Sequence, residues 1–260
     1  MQELKRIINY KWIILLLIAA TVNVVFFLYD NKPVMDEDII NKENVETYIK
    51  NYHEEVNAII DNADKLKKYS IFNKAGSFSY ANILQTARDF ERVKNVILPE
   101  DEYKGVQAYT TYYYQYFFTM LVMMFVIYDM FAQRDNGMWS ITYSCANGRI
   151  MYAIKQTGVI VVTGAFTHTL IYWSTFIAAM LQRGGVRDLV NPVQTIETFD
   201  KFTYPWSKIK YVTVLYLISM VCIVALCITI WGVFVMFRNR VYALVTMLIF
   251  AAVEQLIYSH

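Results

Sequence analysis

The sequence predicts an all-α, polytopic membrane protein with about five spanning helices and a helical hairpin inserted outside the membrane. Of the 260 residues, 57% are hydrophobic and only 18% are charged, a balance too apolar for an ordinary soluble domain. The charged residues leave several uncharged gaps that approach or exceed the roughly 20 residues a spanning helix needs. One long stretch, residues 30–104, is instead rich in charge and predicts a part of the chain that lies outside the membrane.

The uncharged gaps predict the positions of the spans. Residues 12–29 follow basic residues and precede no small-residue cleavage site, which predicts an uncleaved signal anchor. Further gaps predict spans at 105–128, 156–182, 211–237 and 241–253. The last is short, and two interpretations stay open: a span that continues past Glu254, or a helix that enters the membrane only partway.

The basic residues Lys5, Arg6 and Lys11 precede the first span and place the N-terminus in the cytoplasm. The predicted order is a cytoplasmic N-terminus with span one (1–29), an external insert (30–104), span two (105–128), a cytoplasmic segment (129–155), span three (156–182), an external loop (183–210), span four (211–237), and a cytoplasmic turn with the short fifth span (238–260).

The insert at 30–104 carries 15 acidic and 11 basic residues. Within it, apolar residues recur at three- and four-residue steps over 45–66 and again over 80–97, which predicts two amphipathic helices. Asn73 to Ser77 has turn composition, and Pro99 is expected to end the second helix. Two helices bury their apolar stripes poorly alone, so we expect a partner subunit or downstream residues to cover them.

Several function classes lack their motifs. The chain has no phosphate-binding loop, no HExxH and no GxSxG motif, so it is not expected to be an enzyme or to hold a cofactor of its own. A formal charge of +2 gives no argument for a nucleic-acid partner. The three cysteines show neither a disulfide framework nor metal-ligand spacing, so no metal site is expected.

Three polar residues in the predicted spans define a candidate intramembrane site: Asn23, His168 and Glu254. Ionisable groups inside a membrane are costly and are therefore functional candidates. The alternatives are a neutral imidazole bonded to a neighbouring helix, an interfacial carboxylate, and a helix–helix hydrogen-bond group for Asn23. An enzyme that uses His168 and Glu254 is disfavoured, because no second catalytic group accompanies either residue at motif spacing.

The cytoplasmic segment 129–155 carries a pattern of charges around a glycine. Asp135 precedes Gly137 by two residues, and the apolar residue Trp139 follows it. Arg149 comes twelve residues after the glycine, and Lys155 opens the third span. This pattern resembles the cytoplasmic signature of type-2 ABC exporter permeases, although that family's central proline is replaced here by Ser144-Cys145-Ala146. An ordinary solvated loop is the alternative interpretation.

The resemblance implies a permease subunit whose segment 129–155 couples to a separate cytoplasmic ATP-binding subunit. It implies coupling roles for Asp135, Gly137, Trp139, Arg149 and Lys155, with ATP and Mg held by the partner subunit. It also implies pairing with a second permease half, as a homo- or heterodimer, in a bacterial plasma membrane. The family has six spans, so the chain is expected to end before a sixth. The main rival is a non-transporting sensor or immunity-type protein that binds an external peptide through the insert.

Overall fold

The computed structural model describes residues 10–32, 37–69, 76–99, 104–135, 144, 148–183 and 189–258. Within these ranges the regular elements are helices, with no strand beyond one isolated antiparallel bridge between Pro192 and Ser207. The predicted all-α class is therefore confirmed for the part of the chain that the structure describes. Gly137 and Trp139 lie outside the described residues, as does the side chain of Asp135.

The helices of the described residues range from four to 36 residues in length. In chain order they are α1 (Tyr10–Asp30), α2 (Glu37–Lys68), α3 (Phe78–Glu91), α4 (Gly105–Thr111), α5 (Tyr114–Met130), α6 (Ala132–Asp135), α7 (Gly148–Arg183), α8 (Lys208–Met236) and α9 (Arg240–Tyr258). Single turns of 3-10 helix at Val193–Thr195 and Glu197–Phe199 lie between α7 and α8.

Three of the described helices, α1, α7 and α8, are long and apolar enough to cross a membrane. They coincide with the predicted spans at 12–29, 156–182 and 211–237. Helix α5 is apolar but has only 17 residues. Large apolar side chains on the outer face of α1 are exposed, as expected for a surface that meets lipid rather than water; they include Ile14, Leu17, Ile18, Val25 and Phe26.

The helix bounds differ from the predicted span bounds in three places. The uncharged stretch 105–128 forms two helices, α4 and α5, which are separated at Tyr112 and Tyr113. Helix α7 begins at Gly148, so the end of the predicted cytoplasmic segment is already helical. Helix α9 continues through Glu254 to Tyr258. Aromatic residues have lower helix propensity than Leu or Ala, which favours a break within the tyrosine run.

The described residues belong to two compact units. The bundle unit comprises Met1–Asn31, Tyr109–Ala178 and Leu215–His260, and the insert unit comprises Lys32–Ala108 and Ala179–Val214. Helices α1, α5, α7, α8 and α9 all contribute to an apolar core of the bundle unit. Its buried members include Leu16, Met123, Ile127, Ile160, Ile223, Phe234 and Met247.

Helices α2 and α3 of the insert unit pack around a small core of their own. Its buried residues are Tyr52, Val56, Ile60, Val93 and Leu98. Gly76 adopts a positive φ of 83°, a conformation that glycine takes without strain, and Ser77 caps α3 by accepting a hydrogen bond from the Tyr80 amide at 3.2 Å. Helix α3 ends at Glu91 rather than near Pro99. The turns that follow place Leu98 in the core and leave Ile97 86% exposed.

The loop between α7 and α8 also belongs to the insert unit and has a defined structure. The Val193 amide donates to the Trp206 carbonyl at 2.9 Å, and the Lys208 amide donates to the Asn191 carbonyl at 2.8 Å. The Gln194 side chain, fully buried, donates to the carbonyls of Phe202 and Tyr204. The Tyr48 hydroxyl on α2 donates to the Gln194 carbonyl at 2.7 Å. This hydrogen bond therefore connects the loop to α2 of the insert unit.

Candidate functional site

Buried polar side chains connect the helices of the bundle unit. On α1, Asn23 is fully buried, and its side-chain amide donates to the Thr175 hydroxyl of α7 at 2.6 Å. The Tyr112 hydroxyl donates to the Asn23 side-chain carbonyl at 2.8 Å. The Tyr112 ring also meets the Phe27 ring edge-on at 5.2 Å. Asn23 thus joins α1 to α7 and to the break between α4 and α5.

His168 is fully buried on α7, and both ring nitrogens face hydroxyl groups of other helices. Nε2 lies 2.8 Å from Ser219 Oγ on α8, and Nδ1 lies 3.5 Å from Thr119 Oγ1 on α5. The Ser219 hydroxyl donates to the Tyr216 carbonyl and the Thr119 hydroxyl donates to the Gln115 carbonyl, so both oxygens are left to accept from the ring. The shorter distance, at Ser219, favours the proton of a neutral imidazole on Nε2.

Three tyrosine rings surround the imidazole of His168. The Tyr116 ring stacks on it at 5.8 Å and the Tyr216 ring at 6.3 Å, while the Tyr172 ring is tilted at 5.6 Å. No ion pair reaches His168 among the described residues, so a neutral ring avoids the cost of a buried charge. The arrangement places a polar group at the meeting point of α5, α7 and α8.

The tyrosines at 109–116 divide between the interior and the surface of the unit. Tyr109 and Tyr112 are buried, while Tyr113 is 40% exposed. The Tyr109 hydroxyl lies 3.4 Å from both the Gln115 side chain and the Tyr172 carbonyl. The buried members therefore belong to the polar network, and the sequence pattern alone did not separate them from their exposed neighbours.

Glu254 is half-buried on α9, and none of the hydrogen bonds or ion pairs among the described residues includes it. The structure thus brings Asn23 and His168 into connected helices of one unit but places no contact between either of them and Glu254. No group of three or more metal-ligating side chains occurs among the described residues.

Gly164 lies one turn before His168, where helices approach closely. A Cβ atom added at this position would lie 2.5 Å from Cys227 Sγ of α8 and 3.5 Å from Met123 Cε of α5. Gly158, two turns earlier on the same helix, has no neighbouring atom within 4 Å of such a Cβ. Small residues commonly permit such approach between apolar helices.

Of the residues expected to couple to a partner, the structure describes Arg149 and Lys155 fully. Both are exposed on the first turns of α7. Asp135 ends the single-turn helix α6, next to a residue that the sequence analysis did not single out. That residue is Arg134, whose Nη1 donates to the carbonyls of Phe234 at 3.0 Å and Phe237 at 2.7 Å.

Arg134 satisfies backbone carbonyls at the C-terminal end of α8, where a positive charge is also favoured by the helix dipole. Its guanidinium lies 4.9 Å from the centre of the Phe131 ring, which itself packs against Phe234. The only sequence signal for this contact is a basic residue near a predicted helix end, and nothing in the sequence indicates which helix it caps.

A comparison with protein-family models, curated proteins and solved structures found no match for this chain.

Proposed function

We propose that this chain is the permease subunit of an ATP-driven exporter, coupled to a separate cytoplasmic ATP-hydrolysing subunit through residues 129–155. Three of the described helices are long and apolar enough to cross a membrane, which supports the permease role. The absence of a phosphate-binding loop from the sequence supports a partner that supplies ATP and Mg. The chain itself is proposed to have no enzymatic activity.

The observation that carries the proposal is the attachment of the segment 129–155 at both of its ends. At its start, Arg134 is hydrogen-bonded to the last carbonyls of α8. At its end, the chain continues without interruption into the 36-residue helix α7. A partner that displaces the segment would therefore act on α5, α7 and α8 together, which is what rigid-body transmission requires.

The exposed side chains at the start of α7 give the partner something to bind. Arg149 and Lys155 are both exposed at the surface of the helix. We assign them, with Asp135, Gly137 and Trp139, to the coupling surface. By the same resemblance, the working unit pairs this chain with a second permease half. Its location is a bacterial plasma membrane, with the N-terminus in the cytoplasm.

A second function, reception of an external peptide, is favoured by a different observation. The insert unit has its own core and a structured loop, 189–207, packed on it through the Tyr48 to Gln194 hydrogen bond. Arg92 on this unit lies 5.4 Å from the centre of the Tyr204 ring, and Tyr204 is 46% exposed. A sensor or immunity-type protein would use such a unit for binding and the helices only for anchoring.

The ATPase activity of the complex tests the coupling assignment. The tagged chain is purified in detergent with its partner, and ATP hydrolysis is measured for the wild type and for Arg149→Ala. We expect the variant to fold and insert but to lose the stimulation of hydrolysis by substrate, since its charge belongs to the proposed contact.

The matched control is Arg238→Ala, an exposed basic residue outside 129–155. It should leave stimulation unchanged. Equal stimulation in the wild type and in Arg149→Ala would refute the coupling role. Recovery of the chain without any ATPase would instead favour the receptor function.

A further inference from the structure

A cavity of about 230 Å³ lies between the beginning of α1 and the end of α5. Its lining residues are Lys11, Trp12, Leu15, Phe125, Val126, Tyr128 and Asp129. One wall therefore carries a positive side chain and the other a negative one, while the rest of the lining is aromatic or apolar. The cavity belongs entirely to the bundle unit.

The two charges stand on opposite walls of the cavity, Lys11 on α1 and Asp129 in the last turn of α5, where the helix dipole is also negative. Asp129 therefore gains from a positively charged ligand group, and Lys11 attracts a negatively charged one. Both side chains are exposed, and no ion pair joins either one to another residue of the described part of the chain.

The aromatic residues of the lining indicate the level of the cavity in the membrane. Trp12 and Tyr128 have an apolar body and a polar tip, the character of residues found at the headgroup level of a membrane. The Arg240 guanidinium lies 4.5 Å from the centre of the Tyr128 ring and adds a further positive charge nearby. Trp12 also lines an apolar groove of about 380 Å³ between α1 and α7, whose floor includes Leu16.

We propose that this cavity binds a zwitterionic phospholipid whose headgroup carries a primary amine. The phosphate binds at Lys11, the ammonium group donates hydrogen bonds to the Asp129 carboxylate, and an acyl chain lies against the apolar walls. A primary ammonium fits better than a quaternary one because a carboxylate accepts hydrogen bonds that only N–H groups can donate. An anionic lipid without an amine would leave Asp129 uncompensated.

Lipid retention by the purified full-length chain tests this proposal. The chain is mixed in detergent with equal amounts of phosphatidylethanolamine, phosphatidylcholine and phosphatidylglycerol, and the lipids that stay bound are quantified by native mass spectrometry. We expect phosphatidylethanolamine to be retained about fivefold over the other two, the ratio that one partly exposed ion pair provides. Asp129→Asn should remove this preference, and Lys11→Gln should lower the retention of all three lipids.

Two further measurements separate lipid binding from simpler explanations. Arg238→Gln removes a positive charge outside the cavity, and this variant should retain lipid like the wild type. A loss of the phosphatidylethanolamine preference in this variant would refute the assignment. Exchanging the two charges, Lys11→Asp with Asp129→Lys, should not restore the preference, because the phosphate lies nearer the acyl chains than the amine. If the preference were restored, the two side chains would act by pairing with each other rather than by binding the lipid headgroup.

Soluble phosphoethanolamine provides the last comparison, since it has the same charges and no acyl chain. We expect it to compete with the bound lipid only weakly. Competition at the lipid's own concentration would overturn the assignment to a lipid, and equal retention of all three lipids by the wild type would overturn the site.

Discussion

Single polar side chains form hydrogen bonds between the helices of the bundle unit. Asn23 bonds to Thr175 and Tyr112, and His168 bonds to Ser219, so each polar residue in one helix has its partner in another. In an apolar surrounding, such bonds contribute of the order of 1 kcal/mol each, and the packing of small residues contributes as well. Gly164 allows the second kind of contact.

Replacing Gly164 by alanine is expected to destabilise the protein by about 1–3 kcal/mol, the usual effect of overpacking. The added Cβ meets Cys227 Sγ at 2.5 Å, so the Cys227 side chain or one of the two helices must shift. The measurement is thermal unfolding of the full chain in detergent.

Gly158→Ala is the control for this substitution and should increase the stability of the protein. Its Cβ meets open space, and alanine favours the helix over glycine by about 0.5–1 kcal/mol. Cys227→Ala should rescue Gly164→Ala, because it removes the sulfur that the new methyl group approaches. Failure of that rescue would contradict the described contact.

Tyr52 in the insert unit has a buried hydroxyl without a hydrogen-bond partner among the described residues. Burial, with a contribution from Asp200, raises its pKa from 10.0 to about 12. Tyr52→Phe should therefore increase stability at neutral pH by about 1 kcal/mol, since an unsatisfied buried group is removed. Tyr48→Phe, which loses its bond to the Gln194 carbonyl, should reduce stability by a similar amount.

The difference in stability between the wild type and Tyr52→Phe depends on pH, because the pKa of Tyr52 is raised in the folded protein. The folded protein holds this proton more tightly than the unfolded chain, so the associated stability is complete below pH 10 and is lost as pH rises through about 12. The advantage of Tyr52→Phe over the wild type should thus grow above pH 10. A constant difference in unfolding temperature across that range would contradict the described environment of Tyr52.

At the scale of elements, Arg134 joins α6 to the end of α8. A cationic group that caps a partly buried helix end contributes up to about 2 kcal/mol. Arg134→Gln should therefore lower the unfolding temperature by roughly 4–8 °C for a chain of this size. Arg238→Gln, an exposed residue in the turn that follows α8, should change it by less than a degree or two. Equal shifts in the two variants would contradict the capping role.

The elements also show what the sequence could predict. The gaps between charged residues predicted α1, α7 and α8, because local composition alone decides whether a helix is apolar enough to span. The break at Tyr112 was not predicted, since it accompanies a bond to Asn23, 89 residues away. The defined structure of the loop 189–207 was not predicted for the same reason: Gln194 accepts a hydrogen bond from Tyr48, which is distant in the sequence.

The candidate site was predictable only in part. Asn23 and His168 were found because polar residues are rare in apolar stretches, but their partners Thr175, Tyr112 and Ser219 gave no signal of their own. Hydroxyl groups in apolar helices commonly bond to their own backbone. Their second role across helices depends on which faces pack together, which sequence spacing does not reveal. The bonds of Arg134 belong to the same class.

At the scale of the whole molecule, the central claim is that residues 129–155 contact an ATP-hydrolysing partner. Site-specific photo-crosslinking in cells tests it most directly. A crosslinking amino acid is placed at Ile150, 66% exposed at the start of α7, and in a second variant at Ile97, 86% exposed in the insert unit. The account predicts a crosslink from position 150 to a nucleotide-binding ATPase, identified by mass spectrometry, and none from position 97. Crosslinks to a peptide or protein from position 97, with no ATPase captured from position 150, would contradict the account.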